Sequence, residues 1–435
     1  MRYGGFSCAL FGPVSLGLII SLTCPVAAAD PVDEARGRFV RQWWYEPGQE
    51  HGNPVTNRRF RVNAPEAVLH PEFSKRSETK SSGMLQILMP EDLLQLRGAE
   101  LYLELWGGHP GTANRRVTLN GRTTYPLPNP EGEHCTHAYP VVPLKRTDLV
   151  EGHNAVQFAC DQGTTFWGHF IVDQACLRAE LPALHSDLKQ AGLEAFTAAV
   201  QAIPSGPNSE VLKLSLALPP NFAARVSAVD FQGRYDGYDE NGDGQRLDWH
   251  GFTKGRQPVA HLGTVEKPPF ETSWDLKLLS DQENMEVRAV VHFRDLAEVL
   301  YITPPLTGLT TPTRTGAAVR WFAATDQPAP FWSRAKRLKT CTIDCDLDPT
   351  HVEQAELHVV VWDGGAGTVE KYFTLNSRPL PVAGSGKHDV IYSRIALDPT
   401  WLQRGANHIE LLSDTEHHGI EVLLPGPAIA VRVRK

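Results

Sequence analysis

Asp239-Glu240-Asn241-Gly242-Asp243-Gly244 places side-chain oxygens at positions 1, 3 and 5 of a loop whose sixth residue is glycine. Two carboxylates and an amide at that spacing can converge on one hard cation, and the glycine lets the chain turn beneath it. Position 12 is His250, where a complete calcium loop carries a bidentate glutamate. Asp236 or Asp248 would then supply the missing carboxylate, with a backbone carbonyl near Gln245. A structural Ca2+ is the expectation, set against a solvated acidic turn, since Asp, Asn and Gly also build hairpin ends.

A second group of chemistry-bearing residues is Glu416, His417, His418 and Glu421, clustered around Gly419. They suit either a metal or acid/base work, though adjacent histidines in a strand point to opposite faces. Trp43-Trp44-Tyr45 sets three aromatics in a row, which cannot all face one core, so Trp43 and Trp44 are candidates for stacking on sugar rings. The alternative is that this segment simply packs on a domain. Trp167 and His169, in Thr165-Phe166-Trp167-Gly168-His169, complete the candidate carbohydrate surface.

Several catalytic patterns fail. Gly384-Ser385-Gly386-Lys387 lacks the upstream glycine of a phosphate loop. Ser186 and Lys189 have Ser-x-x-Lys spacing but no accompanying Lys-Thr-Gly. The run from Glu133 to His137 fits no zinc spacing. No His-Glu-x-x-His or Gly-x-Ser-x-Gly occurs after the leader. The catalytic residues of any reaction are therefore not identifiable from motifs.

The chain that must position these groups has 435 residues, a formal net charge of -8 and 41% hydrophobic residues, which is globular composition. Residues 1–29 read as a secretory leader, with an apolar run through Leu16-Gly17-Leu18-Ile19-Ile20 and Ala27-Ala28-Ala29 before Asp30. Lipidation at Cys24 is the weaker alternative, because Thr23 suits it poorly. No other stretch has the roughly 20 apolar residues of a membrane-spanning helix. The mature chain is expected to be soluble and exported: secreted, periplasmic or at the cell surface. No concentrated Lys/Arg run suggests a nucleic-acid partner. Five cysteines stay after the leader, Cys135, Cys160, Cys176, Cys341 and Cys345, an odd count whose pairing the sequence leaves open.

Organisation comes from an internal repeat. Ala99-Glu100-Leu101-Tyr102-Leu103-Glu104-Leu105-Trp106 aligns without a gap on Ala355-Glu356-Leu357-His358-Val359-Val360-Val361-Trp362, and Thr118-Leu119-Asn120 on Thr374-Leu375-Asn376. Asn154 and Asn407 follow in matching strand openings. Trp106 and Trp362, held in common by two diverged copies, read as packing residues. Alternation such as Leu101/Leu103/Leu105 has period two and predicts half-buried antiparallel strands. Leu184, Leu188, Phe196, Val200 and Ile203 recur at helical spacing before Pro204, which predicts one linker helix.

These features resemble a known arrangement. The outer segments, each with a strand ending in Trp, a glycine-rich loop, a Thr-Leu-Asn hairpin and a closing strand, resemble the galactose-binding-like jelly-roll modules of bacterial polysaccharide-degrading proteins. The middle segment resembles an immunoglobulin-like sandwich of the same proteins. The resemblance implies an all-β chain of three β-sandwich domains: leader 1–29, extension 30–54, first jelly roll 55–182, linker helix 183–208, immunoglobulin-like sandwich 209–302, linker 303–315 and second jelly roll 316–435. It implies a polysaccharide or glycan partner without a catalytic signature. The leading expectation is a non-catalytic protein that binds or helps process polysaccharide. The alternatives are a polysaccharide lyase or glycoside hydrolase with its site at a domain junction, and a structural cell-surface component.

Overall fold

The computed structural model describes residues 37–46, 60–62, 84–108, 112–128, 135–161, 169–203, 206 and 209–435. Residues 1–29, expected to be a leader, and Trp167 lie outside the described residues. The architecture is all-β, and among the described residues every helical segment is one or two turns long.

Period-two patterning builds the first sandwich. Leu101, Leu103 and Leu105 turn into the core, while Tyr102 and Glu104 project from the opposite face of the strand Arg97–Gly108. This strand pairs with Phe170–Leu181, which pairs in turn with Arg38–Trp44. The facing sheet runs in the order Met84–Met89, Gly152–Ala159, Arg116–Leu119, Thr123–Pro126. The C-terminal sandwich repeats both layers: Ala317–Ala323, Ala428–Arg434 and Val352–Asp363 in one, and Lys339–Cys345, Gly405–Leu411, Phe373–Leu375 and Arg378–Pro379 in the other. Leu101 sits opposite Leu177, and its repeat equivalent Leu357 opposite Ile429.

Between them lies a third sandwich. Val226–Asp236, Met285–Phe293 and Val299–Ile302 face the three strands Ala199–Ile203, Val211–Ala217 and Glu271–Asp275. Met285, Val287, Ala289, Val291 and Phe293 all point into its core.

Two expectations need correction. The helix predicted over 183–203 is only Ser186–Gln190, and Ala199–Ile203 is a strand of the middle sandwich. Gly192, at φ +61°, ends the helix: its N–H bonds to the Lys189 carbonyl at 2.9 Å, and the Leu193 N–H reaches back to Leu188 at 2.7 Å. The N-terminal extension is also not an appendage. Arg38–Trp44 pairs with Phe170–Leu181 on one side and Val299–Ile302 on the other, so the first and middle sandwiches share one twelve-stranded sheet. Phe39 fills the junction, its ring 5.0 Å from Tyr301 and 6.2 Å from Phe196.

The C-terminal sandwich is docked rather than fused, its strands forming sheets of their own. A separate apolar cluster of Trp106, Cys135, Tyr238, Val360 and Leu423 joins residues of all three domains, with Trp362 packed against it. The Tyr238 hydroxyl donates to the Gly426 carbonyl at 2.6 Å, and Lys254 pairs with Asp389 at 2.6 Å. Among the described residues the five cysteines, Cys135, Cys160, Cys176, Cys341 and Cys345, are buried and none is in a disulfide. Among the described residues no helix is long and apolar enough to cross a membrane.

Candidate functional site

The outward face of the shared sheet is covered in part by the hairpin Phe252–Lys254 and Gln257–Val259. Its turn residues Gly255 and Arg256 have φ of 55° and 74°, the paired left-handed geometry that suits a two-residue hairpin. Buried Glu104 accepts N–H bonds from Gly255 at 3.0 Å and Arg256 at 2.9 Å, and also bonds the Thr253 hydroxyl. Arg256 then reaches the Tyr45 carbonyl at 2.7 Å and Glu46 at 2.5 Å. These contacts clamp the middle sandwich onto the first.

Beside the clamp the sheet stays open as a cleft of about 1040 Å³ between the domains. On its floor the Arg178 guanidinium lies 3.9 Å from the centre of the Tyr102 ring, with Glu100 at 3.6 Å. The Arg288 guanidinium lies 4.1 Å from the Trp249 ring, and its Nε donates to Gln232 at 2.9 Å. A guanidinium held over a ring has lost part of its rotamer freedom in advance, which makes its N–H donors less costly to order around a ligand. Arg38 lines the floor between the two.

One wall is the acidic loop. The Asp239 carboxylate accepts from the N–H groups of Gly242 at 2.8 Å, Asp243 at 3.1 Å and Gly244 at 2.9 Å. Asn241 accepts from Asp243 N–H at 3.0 Å, and Asp243 accepts from Gln245 N–H at 2.7 Å. The Asn241 amide donates to Asp248 at 2.7 Å. Burial, with Asp243 nearby, pushes the carboxyls of Asp239 and Asp248 up to about 6. Asp236 is turned away into an ion pair with Arg246 at 3.0 Å, so it is not part of this set. The all-oxygen chemistry of Asp239, Asn241, Asp243, Asp248 and the Gln245 backbone suits a hard cation. Among the described residues no three His, Cys, Asp or Glu side chains already converge as a ligand group.

His250 does not act as the twelfth ligand. It is buried under the loop, with Nδ1 2.9 Å from Glu240 and Nε2 2.8 Å from the Tyr235 carbonyl, and its ring stacks on Tyr235 at 3.7 Å. Glu240 also accepts the Gly251 N–H at 2.6 Å. His137 bonds the Glu240 carbonyl at 2.7 Å, and burial drives its pKa down to about 4.

The residues proposed to form a carbohydrate surface are dispersed. Trp43 is 8% exposed and part of the core, which leaves its ring no free face for a sugar. Trp44 is on the opposite side of the strand, 6.1 Å from Tyr102 and 5.1 Å from the Arg256 guanidinium. His169 is 1% exposed beneath Trp106. Glu421 is 2% exposed and paired with Arg334 at 2.6 Å; burial raises its pKa, with Arg334 and the Cys135 thiol pulling the other way. Glu416, His417 and His418 are exposed. His417 and His418 diverge: His417 and Glu416 line a small cavity beside Trp332, while His418 meets His388 at 3.2 Å next to Trp362. The cleft floor itself was missed by motif reasoning, because Tyr102, Arg178, Trp249 and Arg288 come from four separate strands. The available signal was an arginine on the wet face of an apolar strand, as in Val287-Arg288-Ala289 and Leu177-Arg178-Ala179.

No known family profile and no curated protein matches the chain. Among solved structures it is similar to the β-porphyranase BpGH86A of glycoside hydrolase family 86 from the human gut bacterium Bacteroides plebeius, with 14% identity and a TM-score of 0.24 over 54% of this chain and 36% of that one. It is similar to BuGH86 in complex with neoagarooctaose at 9% identity and a TM-score of 0.23, covering 54% and 34%. The ANX1 ectodomain from Arabidopsis thaliana gives 9% identity and a TM-score of 0.21, covering 90% and 96%. The chain spans about a third of the two hydrolases' length.

Proposed function

We propose that this is an exported protein that binds polysaccharide in the cleft between its first and middle sandwiches, without chemistry of its own. The outer sandwiches serve as galactose-binding-like modules, one of them supplying part of the cleft floor. The observation that carries this is the pair of pre-oriented guanidinium platforms, Arg178 on Tyr102 and Arg288 on Trp249. The strands bearing the two arginines are three steps apart in the sheet, about 14 Å at ~4.8 Å per step. That separation exceeds a single pyranose ring, so the ligand is an oligosaccharide stretch of a chain. Guanidinium N–H groups, Gln232 and Glu100 provide donors and acceptors for sugar hydroxyls. Ca2+ in the Asp239, Asn241, Asp243 and Asp248 loop stiffens the wall.

One observation favours a hydrolytic alternative. Asp239 and Asp248, raised to about 6, have the protonation behaviour of a general acid in the same cleft. A glycan array on the mature protein, joined to a product assay on every polysaccharide it retains, separates the two. Binding without products, lost on Arg178→Ala and Arg288→Ala, is expected. Release of new reducing ends would establish the hydrolase, and retention unchanged by both substitutions would place the ligand elsewhere.

A further inference from the structure

The loop carrying His417 closes a second cavity of about 380 Å³ in the C-terminal sandwich, remote in the chain from every residue of the cleft platforms. Arg334, Arg337, Lys339 and His417 line it, together with Trp332, and Glu416 is its one acidic side chain. With Arg334 already paired to Glu421, Arg337 and Lys339 still outnumber the one carboxylate that lines the cavity, and the surplus positive charge attracts an anion. Among the described residues neither Arg337 nor Lys339 has a carboxylate partner.

The cavity is built rather than casual. Ala335 and Lys336 are successive non-glycine residues in the left-handed region, with φ of 47° and 62°. Such a turn survives only when its surroundings determine it. The Ala335 N–H donates to Thr415 at 2.8 Å, the Lys336 N–H to Ser413 at 2.8 Å, and the Ser333 hydroxyl to the Arg337 carbonyl at 2.8 Å. These bonds tie the turn to the segment leading into Glu416 and His417. The Arg334 guanidinium is fixed as well, 4.5 Å from the Trp332 ring centre and 2.6 Å from Glu421.

We propose that this cavity is a second glycan site that takes a saccharide bearing an oxyanion, a carboxylate or a sulfate ester. Arg337 and Lys339 meet the anion, and Trp332 forms the wall against the sugar ring. Guanidinium and ammonium bonds to an oxyanion are charge-assisted, and Arg offers the planar fork that carboxylate and sulfate both fit. The inference is independent of the cleft, and its test keeps the two apart.

The test is calorimetric titration of the mature protein with four probes: oligogalacturonate, an oligosaccharide of a sulfated galactan, the desulfated form of the latter, and sodium sulfate. Arg337→Gln/Lys339→Gln is the variant, since both side chains project into the cavity and the turn is held by backbone bonds. The expected result is that at least one anionic oligosaccharide binds, weakens on added salt, and binds about tenfold or more weakly to the variant, while Arg178→Ala/Arg288→Ala leaves it unchanged. Which anionic probe binds assigns carboxylate or sulfate. Equal affinity for the charged and desulfated galactans together with no binding of oligogalacturonate, or unchanged affinity in the cavity variant, would overturn the proposal. Sodium sulfate binding as tightly as the oligosaccharide would overturn the saccharide part.

Discussion

Asn120 donates its side-chain amide to the Asn154 side-chain oxygen at 2.8 Å, and Asn376 does the same to Asn407 at 2.9 Å in the C-terminal sandwich. Both donors sit at left-handed hairpin positions, φ 49° and 48°, and each accepts a backbone N–H from the residue after its partner: Ala155 at 2.8 Å and His408 at 2.9 Å. The two copies therefore share a buried polar lock between the hairpin and the adjoining strand, as well as the apolar pattern of their cores. Asn154 bonds the Val150 N–H and carbonyl, and Asn407 those of Gln403.

Asn154→Ala leaves several buried backbone groups without partners, which costs about 2–4 kcal/mol. Asn407→Ala should cost a similar amount, since its bonds are the same. Urea unfolding of each variant against the parent measures this. A loss below about 0.5 kcal/mol in both would show that the lock is not stabilising.

Much of this was legible in the sequence. Thr-Leu-Asn in both copies marks the hairpin, and Gly-x-Asn marks the strand that meets it. Strand alternation at Leu101–Leu105 also read directly. What stayed hidden depended on distant pairing. Arg38–Trp44 looks like a stray aromatic segment until Phe39 is placed opposite Tyr301, which lies more than 250 residues away in the sequence. The segment 183–203 satisfied helical spacing through Leu188, Phe196 and Val200, yet Gly192 broke it and the pairing of Val200 with Leu216 claimed the remainder as strand. Spacing cannot arbitrate between those outcomes, because the deciding partner is elsewhere in the chain. The cleft was hidden for the same reason, whereas the acidic loop, being local, was visible at once.

The buried His250–Glu240 pair makes stability depend on pH. Burial opposes the charged imidazole, but Glu240 on one ring nitrogen and the Tyr235 carbonyl on the other outweigh it, so the folded pKa lies above 6.5. A raised folded pKa contributes stability that is complete below the unfolded pKa and is lost as pH rises through the folded one. Asp239 and Asp248, whose carboxyls are raised to about 6, act in the same direction, since folding disfavours their ionised forms. The melting temperature should therefore fall from about pH 4 to 6 as the two aspartates ionise, and again as pH rises above 6.5 through the His250 pair, and Glu240→Gln should flatten the upper part of the profile. A parent profile already flat above pH 6.5 would refute the charged pair.

Calcium offers the remaining test, and the loop geometry says which substitutions should matter. Asp239 and Asp248 are held as carboxylates with difficulty, by burial and by the nearby Asp243, and a divalent cation bound among them would relieve that repulsion. Binding only the folded state, Ca2+ at 100 times its Kd stabilises by about 2.7 kcal/mol, so the melting temperature should rise by a few degrees and a chelator should reverse the change. Asp243→Ala should abolish the response with the far-UV spectrum intact. Gly242→Ala should abolish it too, because the residue has φ +73° and an added Cβ would meet the His137 carbonyl oxygen at 2.7 Å, unseating the loop. Asp236→Asn should leave it unchanged, since Asp236 faces Arg246. Scanning calorimetry of these variants with and without millimolar Ca2+ decides the matter: a parent that does not respond removes the cation from the cleft wall, and a response lost in Asp236→Asn but kept in Asp243→Ala would mean that a different set of carboxylates holds it.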